Sequence, residues 1–223
     1  VKQVMNITDV GHMMADEEEG TDKVEAAAKK YGLTPAQVAE KYTKIFFRDI
    51  GNLSIEPAWK YPRASAHVAE MIKIIEALLK RGMAYKVGGN VYYDISKFPA
   101  YGKLSGNDLG NLVAGARVAV VTEKKSPYDF ALWISKPGHL MVWRAPWGTG
   151  YPGWHIECSA MAKKYLGETL DIHTGGEDNK FPHHEAEIAQ SEGVSGKALA
   201  RYWFHVSHLL VGGEKMSKIM GNF

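Results

Sequence analysis

Three residues have types and spacing that could hold one metal ion. Cys158 is the single cysteine of the chain. His183 and Glu187 lie four apart in Phe181-Pro182-His183-His184-Glu185-Ala186-Glu187. On a helix that spacing puts both side chains on one face, one turn apart. A thiolate, an imidazole and a carboxylate together suit zinc and leave a coordination position over, which a thiol-bearing substrate could fill. The same residues fit a blander account: a small buried thiol, and a His–Glu pair that is simply solvated. Residue types alone leave both accounts open.

Composition bounds the class. The chain has 223 residues, enough for one large domain or two small ones. Hydrophobic residues make up 45% and charged residues 23%, which supplies a sizeable core for a soluble globular protein. Net charge is +2, from 27 basic and 25 acidic side chains. That total neither implies nor excludes a nucleic-acid partner, because a local patch would decide it. A single cysteine excludes an intrachain disulfide framework and fits a reducing cytoplasm. No apolar run is long enough to cross a membrane, and Val1-Lys2-Gln3-Val4-Met5 is not a signal peptide. That opening reads as the middle of a strand.

The candidate ligands need elements to position them. Residues 4–10 read as a short strand. The acidic stretch 16–20 leads into a helix through residues 24–30, stopped by Gly32. Thr34-Pro35-Ala36-Gln37 is a helix start: Thr as N-cap, Pro at the first helical position, Gln returning a capping bond. Val38, Tyr42, Ile45 and Phe46 then form one apolar face, and Gly51 ends the helix. Val68, Met71, Ile72, Ile75, Leu78 and Leu79 repeat with helical period, with Gly82 as C-cap. After Tyr85 the texture becomes β-rich. Residues 87–93 read as a hairpin with a Gly88-Gly89 turn, and 118–122 as a further β run. Trp133, Trp143 and Trp147 read as packing. From Pro152 an α/β pattern resumes. It comprises a helix carrying Cys158, Met161, Ala162 and Tyr165, a strand at 170–173 and a turn at Gly175-Gly176. A helix through 183–192 and a strand at 204–210 follow.

At this point the residues are identifiable. Asn6-Ile7-Thr8-Asp9, Gly153-Trp154-His155-Ile156-Glu157-Cys158-Ser159-Ala160-Met161, the stretch from Asp171-Ile172-His173 through Gln190, and Lys215-Met216-Ser217-Lys218 resemble the catalytic domain of class I cysteinyl-tRNA synthetases. The similarity covers essentially the whole chain. The Trp-His-Ile-Glu-Cys and Phe-Pro-His-His-Glu blocks, in this order, are close to diagnostic, whereas Lys-Met-Ser-Lys marks class I synthetases generally. The resemblance implies an α/β fold: a class I synthetase Rossmann-like parallel sheet with helices, its first strand missing, plus a small β-rich connective insertion. Residues 1–84 would be the remainder of the first Rossmann half, and 85–150 the insertion. Residues 151–208 would be the second half with the zinc and ATP-site residues, and 209–223 the KMSKS-type loop and the start of the following domain.

The resemblance also assigns roles. In the family one zinc is held by two cysteines, a histidine and a glutamate, and the substrate cysteine adds its thiolate; Cys158, His183 and Glu187 match. Cysteine and serine differ by one atom, and a hydrophobic pocket separates such near-isosteres poorly. Zinc binds a soft thiolate far better than a hydroxyl and deprotonates the thiol. Trp154 matches an aromatic wall of the amino-acid pocket, against the rival account of a core tryptophan, and Thr8 a residue near it. In Thr174-Gly175-Gly176-Glu177-Asp178, two glycines bring backbone close to a ligand and an acid can accept from ribose hydroxyls, although ordinary turns read the same way. By resemblance Gly175, Gly176 and Asp178, with His173, form the ATP site. Thr174 stands where the family has Gly. Lys215 and Lys218 follow Gly212-Gly213-Glu214 in a mobile loop and would stabilise a pyrophosphate leaving group. Ile219 stands where the family has Ser. The implied cofactor is one Zn2+, with ATP as substrate alongside Mg2+. The implied partners are L-cysteine and tRNA(Cys), for a cytoplasmic protein with no membrane contact; the sequence does not give its oligomeric state, and a monomer is the favoured expectation.

Two family elements are not in the sequence. One is the N-terminal strand with the first zinc cysteine and the HIGH motif that binds ATP phosphates. The other is the set of helical domains that read the anticodon. The expectation is a partial catalytic domain of a ligase, inactive by itself. Three other readings stay open: a mycothiol-pathway cysteine ligase, a noncatalytic zinc-binding module, and a zinc hydrolase with Glu185 or Glu157 as base.

Overall fold

The computed structural model describes residues 1–10, 23–107, 123–217 and 220–222. The expected acidic stretch at 16–20, the β run at 118–122, Lys218 and Ile219 lie outside the described residues. Helix α1 (Lys23–Tyr31) leads through a short turn into helix α2 (Pro35–Asn52). Thr34 caps α2 reciprocally: its hydroxyl accepts from Gln37 N at 3.2 Å, and Gln37 Oε1 accepts from Thr34 N at 2.8 Å. Two donors that the first turn would orphan are thereby satisfied. The expected apolar face of α2 is only partly buried. Val38 is buried, Ile45 and Phe46 are half-buried, and Tyr42 is exposed. Thr43 takes a buried position instead, because its hydroxyl is satisfied by Ala39 O at 2.8 Å.

Helix α3 (Val68–Lys80) buries Val68, Met71, Ile74, Ile75 and Leu78. It ends at a left-handed glycine. Gly82 has φ +68°, its N–H bonds to Leu79 O (3.1 Å), and Met83 N–H bonds to Leu78 O (3.0 Å). Only glycine takes this conformation without penalty. Strands β1 (Ala84–Val87) and β2 (Asn90–Tyr93) form the expected hairpin across Gly88-Gly89, both at positive φ. With β3 (Phe130–Ile134), β4 (Trp143–Ala145) and β5 (Gly148–Pro152) they make a five-stranded antiparallel sheet in the order β1-β2-β3-β5-β4. Trp133 is fully buried and meets Trp147 edge-on at 5.7 Å, and Trp143 packs on the same core.

Helix α4 (Trp154–Leu166), strand β6 (Leu170–Gly176), helix α5 (Glu185–Ser195) and strand β7 (Ala200–Val206) follow. Strands β6 and β7 pair in parallel from Leu170↔Ala200 to Gly176↔Val206. This corrects three expectations. The first strand runs through both glycines instead of turning at them. The second begins four residues earlier than expected. The helix starts at Glu185, because Phe181 (φ −139°, ψ 131°) interrupts the turn Lys180–His184 before it. Strands β8 (Leu210–Val211) and β9 (Glu214–Lys215) form a small hairpin.

The expected strand at 4–10 is reduced to two isolated parallel bridges, Val4↔Lys60 and Ile7↔Arg63. Met5 N bonds Lys60 O and Ile7 N bonds Pro62 O; Lys60 N bonds Gln3 O and Ala64 N bonds Ile7 O. The missing rung belongs to Pro62, which has no N–H to donate. Parallel pairing among the described residues is therefore confined to β6–β7 and these bridges, and the largest sheet is antiparallel. No helix among the described residues is long and apolar enough to cross a membrane.

One core joins the sheet to the helices that carry the candidate ligands. Met71, Ile75 and Leu78 of α3, Tyr93 and Leu132 of the sheet, Ile156, Ala160 and Met161 of α4, and Ala186 and Ala189 of α5 are buried together. Each large apolar side chain so buried contributes about 1.5–3 kcal/mol. Polar bonds fix the fit: Ser159 donates to Gln190 Oε1 at 2.6 Å, and Tyr93 OH to Ala189 O at 2.9 Å. Glu185, fully buried at the start of α5, ties the helix to the turn after Tyr101. Its carboxylate accepts from Gly102 N (3.1 Å), Leu104 N (2.7 Å), Ser105 N (2.7 Å) and Ser105 Oγ (3.0 Å). Removing it leaves backbone donors stranded. Glu185→Ala is expected to cost about 3 kcal/mol or more, seen as a melting temperature lower by on the order of 10 °C. A melt within a degree or two of wild type would show that the turn finds other acceptors.

Candidate metal centre and nucleotide site

The ligand atoms of Cys158, His183 and Glu187 lie within 4.8 Å of one another. Three elements bring them there. Cys158 sits in the second turn of α4, Glu187 in the first turn of α5, and His183 in the interrupted turn just before α5. His183 and Glu187 are buried and Cys158 is half-buried.

Each ligating group meets a polar side chain from another element. Asn6 Nδ2 donates to Cys158 Sγ at 3.1 Å. His155 Nδ1 and His183 Nδ1 share a hydrogen bond of 2.8 Å, which leaves His183 Nε2 for the centre. His173 Nε2 donates to Glu187 Oε2 at 3.0 Å. Trp154 is 36% exposed; its ring lies 4.5 Å from the His183 ring and stacks on His155.

The electrostatics follow from burial and neighbours. Burial pushes the Cys158 thiol well up, the Glu187 and Glu157 carboxylates push it further, and the Asn6 hydrogen bond pulls it back. Burial would raise Glu187 too, but the His183 charge and the His173 hydrogen bond outweigh it and hold the carboxyl below its usual range. His173 is raised: its bond to Glu187 overcomes the burial that opposes it. His184, pushed down to about 4 chiefly by burial, stays neutral and shares a 2.8 Å bond with His205.

The three groups fit a metal ion. Glu187 Oε1 lies 3.0 Å from His183 Nε2, yet it accepts no hydrogen bond. A buried carboxylate oxygen in that position is costly unless something else takes its lone pair. The ligand atoms of the trio lie within 4.8 Å of one another, and a cation among them would take lone pairs from each and oppose the burial and the carboxylates that push the thiol up. His173, His184 and Glu187 form a second cluster of ligand atoms within 4.8 Å. The two clusters share Glu187, whose Oε2 is bonded to His173 and whose Oε1 lies beside His183.

The residues read as a nucleotide site are less gathered. Gly175 and Gly176 lie on β6, and a Cβ on Gly175 would stand 2.6 Å from His184 Cε1. The close approach that requires glycine there is to a buried imidazole. Asp178, on the turn after β6, pairs with Lys215 Nζ at 3.2 Å, both about half exposed. Lys215 lies on β9, not in an open loop. Thr8 is exposed, two residues beyond Asn6. Glu185 cannot serve as a hydrolytic base, since its oxygens are taken by four donors.

Sequence reasoning gave no role to Asn6, His155, His184 or His205. A signal existed for His155, three residues before Cys158 on one helix face; none existed for a partner as remote in sequence as Asn6. Gly175→Ala is expected to cost about 1–3 kcal/mol through overpacking against His184, read by thermal melting, whereas an unchanged melt would show that the imidazole moves aside freely.

Comparison with known proteins follows the same residues. A family model described as "tRNA synthetases class I (C) catalytic domain" matches residues 1–223. A cysteine--tRNA ligase of Deinococcus radiodurans is 54% identical over 224 residues, covering 100% of this chain and 45% of that protein. One from Thermus thermophilus is 54% identical over 223 residues, covering 100% and 46%. One from Chlorobaculum tepidum is 51% identical over 225 residues, again covering 100% and 46%. The chain thus spans about half the length of the curated relatives it matches. With the match running from end to end and every ligand candidate inside it, the chain belongs to the class I (C) tRNA synthetase catalytic-domain family.

Proposed function

We propose that the polypeptide containing this chain is a cysteine–tRNA ligase. L-Cysteine and ATP give cysteinyl-adenylate and pyrophosphate, and the cysteinyl group then moves to the terminal adenosine of tRNA(Cys). The observation that carries the reading is the convergence of Cys158, His183 and Glu187, whose ligand atoms lie within 4.8 Å of one another. Zinc, when bound by these three residues, would supply selective ligation of the substrate thiol, a discrimination that a hydrophobic pocket cannot make.

The chain's own residues do the rest. The partly exposed Trp154 ring walls the amino-acid pocket over His183, with Thr8 nearby. His173 holds Glu187 in place. Asp178 accepts from the ribose beside Gly175 and Gly176. Lys215, released from its exposed pair with Asp178, meets the developing charge of the pyrophosphate together with Lys218 and the Mg2+ that accompanies ATP. An exposed pair of this kind holds by at most about 1 kcal/mol, so a polyphosphate displaces it readily. No protein nucleophile is needed; positioning and charge stabilisation drive both steps.

The parallel β6–β7 pair and the parallel bridges at Val4 and Ile7 support a Rossmann-like nucleotide-binding sheet, with the first half at 1–84 and the second at 151–208. The antiparallel sheet supports an insertion at 85–150. Residues 209–223 form the KMSKS-type segment. The reaction belongs in the cytoplasm, and we read the protein as a monomer. The names of the relatives favour tRNA over an amino sugar as acceptor.

Two measurements test this. ATP–pyrophosphate exchange on the full-length polypeptide should depend on cysteine and favour it over serine by more than about a hundredfold, beyond what a pocket gives near-isosteres. Equal exchange with serine, or none with cysteine, would overturn the reading. Separately, Cys158→Ala should abolish stoichiometric zinc, measured by metal analysis after dialysis. Full retention of tightly held zinc by that variant sinks the ligand assignment.

A further inference from the structure

We propose that Asn6 is a positioning residue for the metal-bound sulfur of Cys158, its side-chain amide donating to the thiolate and fixing where the sulfur points. The proposal rests on the zinc reading above. Asn6 Nδ2 lies 3.1 Å from Sγ, across 152 residues of sequence. A ligating thiolate offers lone pairs and no proton. It therefore accepts from an amide N–H and repels an amide oxygen, which sets which end of the Asn6 side chain faces it. A donor to an anionic sulfur is charge-assisted, stronger than the same donor to a neutral thiol.

The amide is carried on a fixed backbone. Met5 N bonds Lys60 O at 3.0 Å and Ile7 N bonds Pro62 O at 2.8 Å, so the residues on either side of Asn6 are both tied to the 60–62 segment. In an extended segment alternate side chains point to opposite sides, so Asn6 projects away from Met5 and Ile7. Three residues on, the buried Asp9 carboxylate accepts from Ser65 N at 2.8 Å and Ser65 Oγ at 2.6 Å, and Arg63 lies 3.7 Å from it. Asn6 thus stands on an anchored strand-like segment while Cys158 stands on α4, and the N–H···S bond spans the two. The other two ligands have their own outer partners, His155 and His173, both on the α4–β6 side of the centre. Asn6 supplies the corresponding partner from the N-terminal segment. Outer partners of this kind orient ligands and tune the metal.

The test uses the full-length polypeptide with Asn6→Ala, and Asn6→Leu, which fills the space without a donor. Zinc affinity is read by chelator competition, the sulfur-to-metal charge-transfer band by absorption of the cobalt-substituted protein, and folding by the melt of the metal-free protein. We expect zinc affinity to fall about 10- to 100-fold. The band should move to lower energy, because a sulfur without its donor is more electron-rich, while the metal-free melt changes little. Should Asn6→Ala not fold, Asn6→Leu carries the test alone. Wild-type affinity and an unmoved band in a folded variant would overturn the role of Asn6. If the wild-type polypeptide bound no zinc at all, the zinc reading itself would fail and this proposal with it.

Discussion

The site depends on burying the Glu187 carboxylate. Only 1% exposed, it has lost its water, and an unpaired buried charge costs several kcal/mol. Its two oxygens must therefore be met by something positive or protic. One is met by His173, the other faces His183 without a hydrogen bond. That requirement fixes the neighbourhood. Strand β6 must run far enough to present His173. The turn before α5 must bring His183 back over the helix, and α4 must set its sulfur beside both. The arrangement reads as a carboxylate assembled to share a cation.

Helix α5 carries two such burdens at once. Glu185 and Glu187 are two residues apart, which on a helix places them about 200° around the axis, on nearly opposite sides. Glu185 binds the backbone after Tyr101, while Glu187 faces the candidate metal centre with Cys158 and His183. Ser159 and Gln190 lock α4 to α5 between them. Small residues allow the close packing this needs. A Cβ on Gly193 would sit 3.0–3.2 Å from Met83, Tyr93 and Leu78. The β-rich segment and the ligand cluster are thus braced by one rigid helix, with little slack for either to shift alone.

This explains what could be read from the residues and what could not. The Thr34–Gln37 cap, the Gly82 terminator and the Gly88-Gly89 hairpin are local: each is decided within a few residues, and each stands as the pattern implied. That His183 and Glu187 come together was legible because they lie four residues apart; that Cys158 joins them was implied by the family resemblance. Helix α5 was harder, because it is buried nearly all round and its apolar side chains show no single face. The role of Glu185 depends on a turn some 80 residues away, and that of Asn6 on a helix still further off. Strand β6 was cut short at 173 because glycines signal turns. Here Gly175 stays extended, and its missing Cβ makes room for His184.

The same contrast bears on the proposed nucleotide half of the site. The candidate metal ligands are gathered within 4.8 Å of one another, His183 and Glu187 buried and Cys158 half-buried. Asp178 and Lys215 are exposed and held by one ion pair. A selective centre has to be rigid, since a misplaced sulfur or carboxylate would bind the wrong group. In the proposed function a leaving-group site would have to give way, since Lys215 would stabilise departing phosphate only by leaving Asp178. Rigidity at Glu187 and looseness at Lys215 are therefore what the two proposed tasks would demand of one chain. The hairpin β8–β9 meets the second demand. It offers Lys215 on a two-residue strand turned by Gly212-Gly213, with its apolar residues Leu210 and Val211 exposed and contributing little to a core. An element so lightly packed can move without disturbing the core that holds Cys158, His183 and Glu187 together.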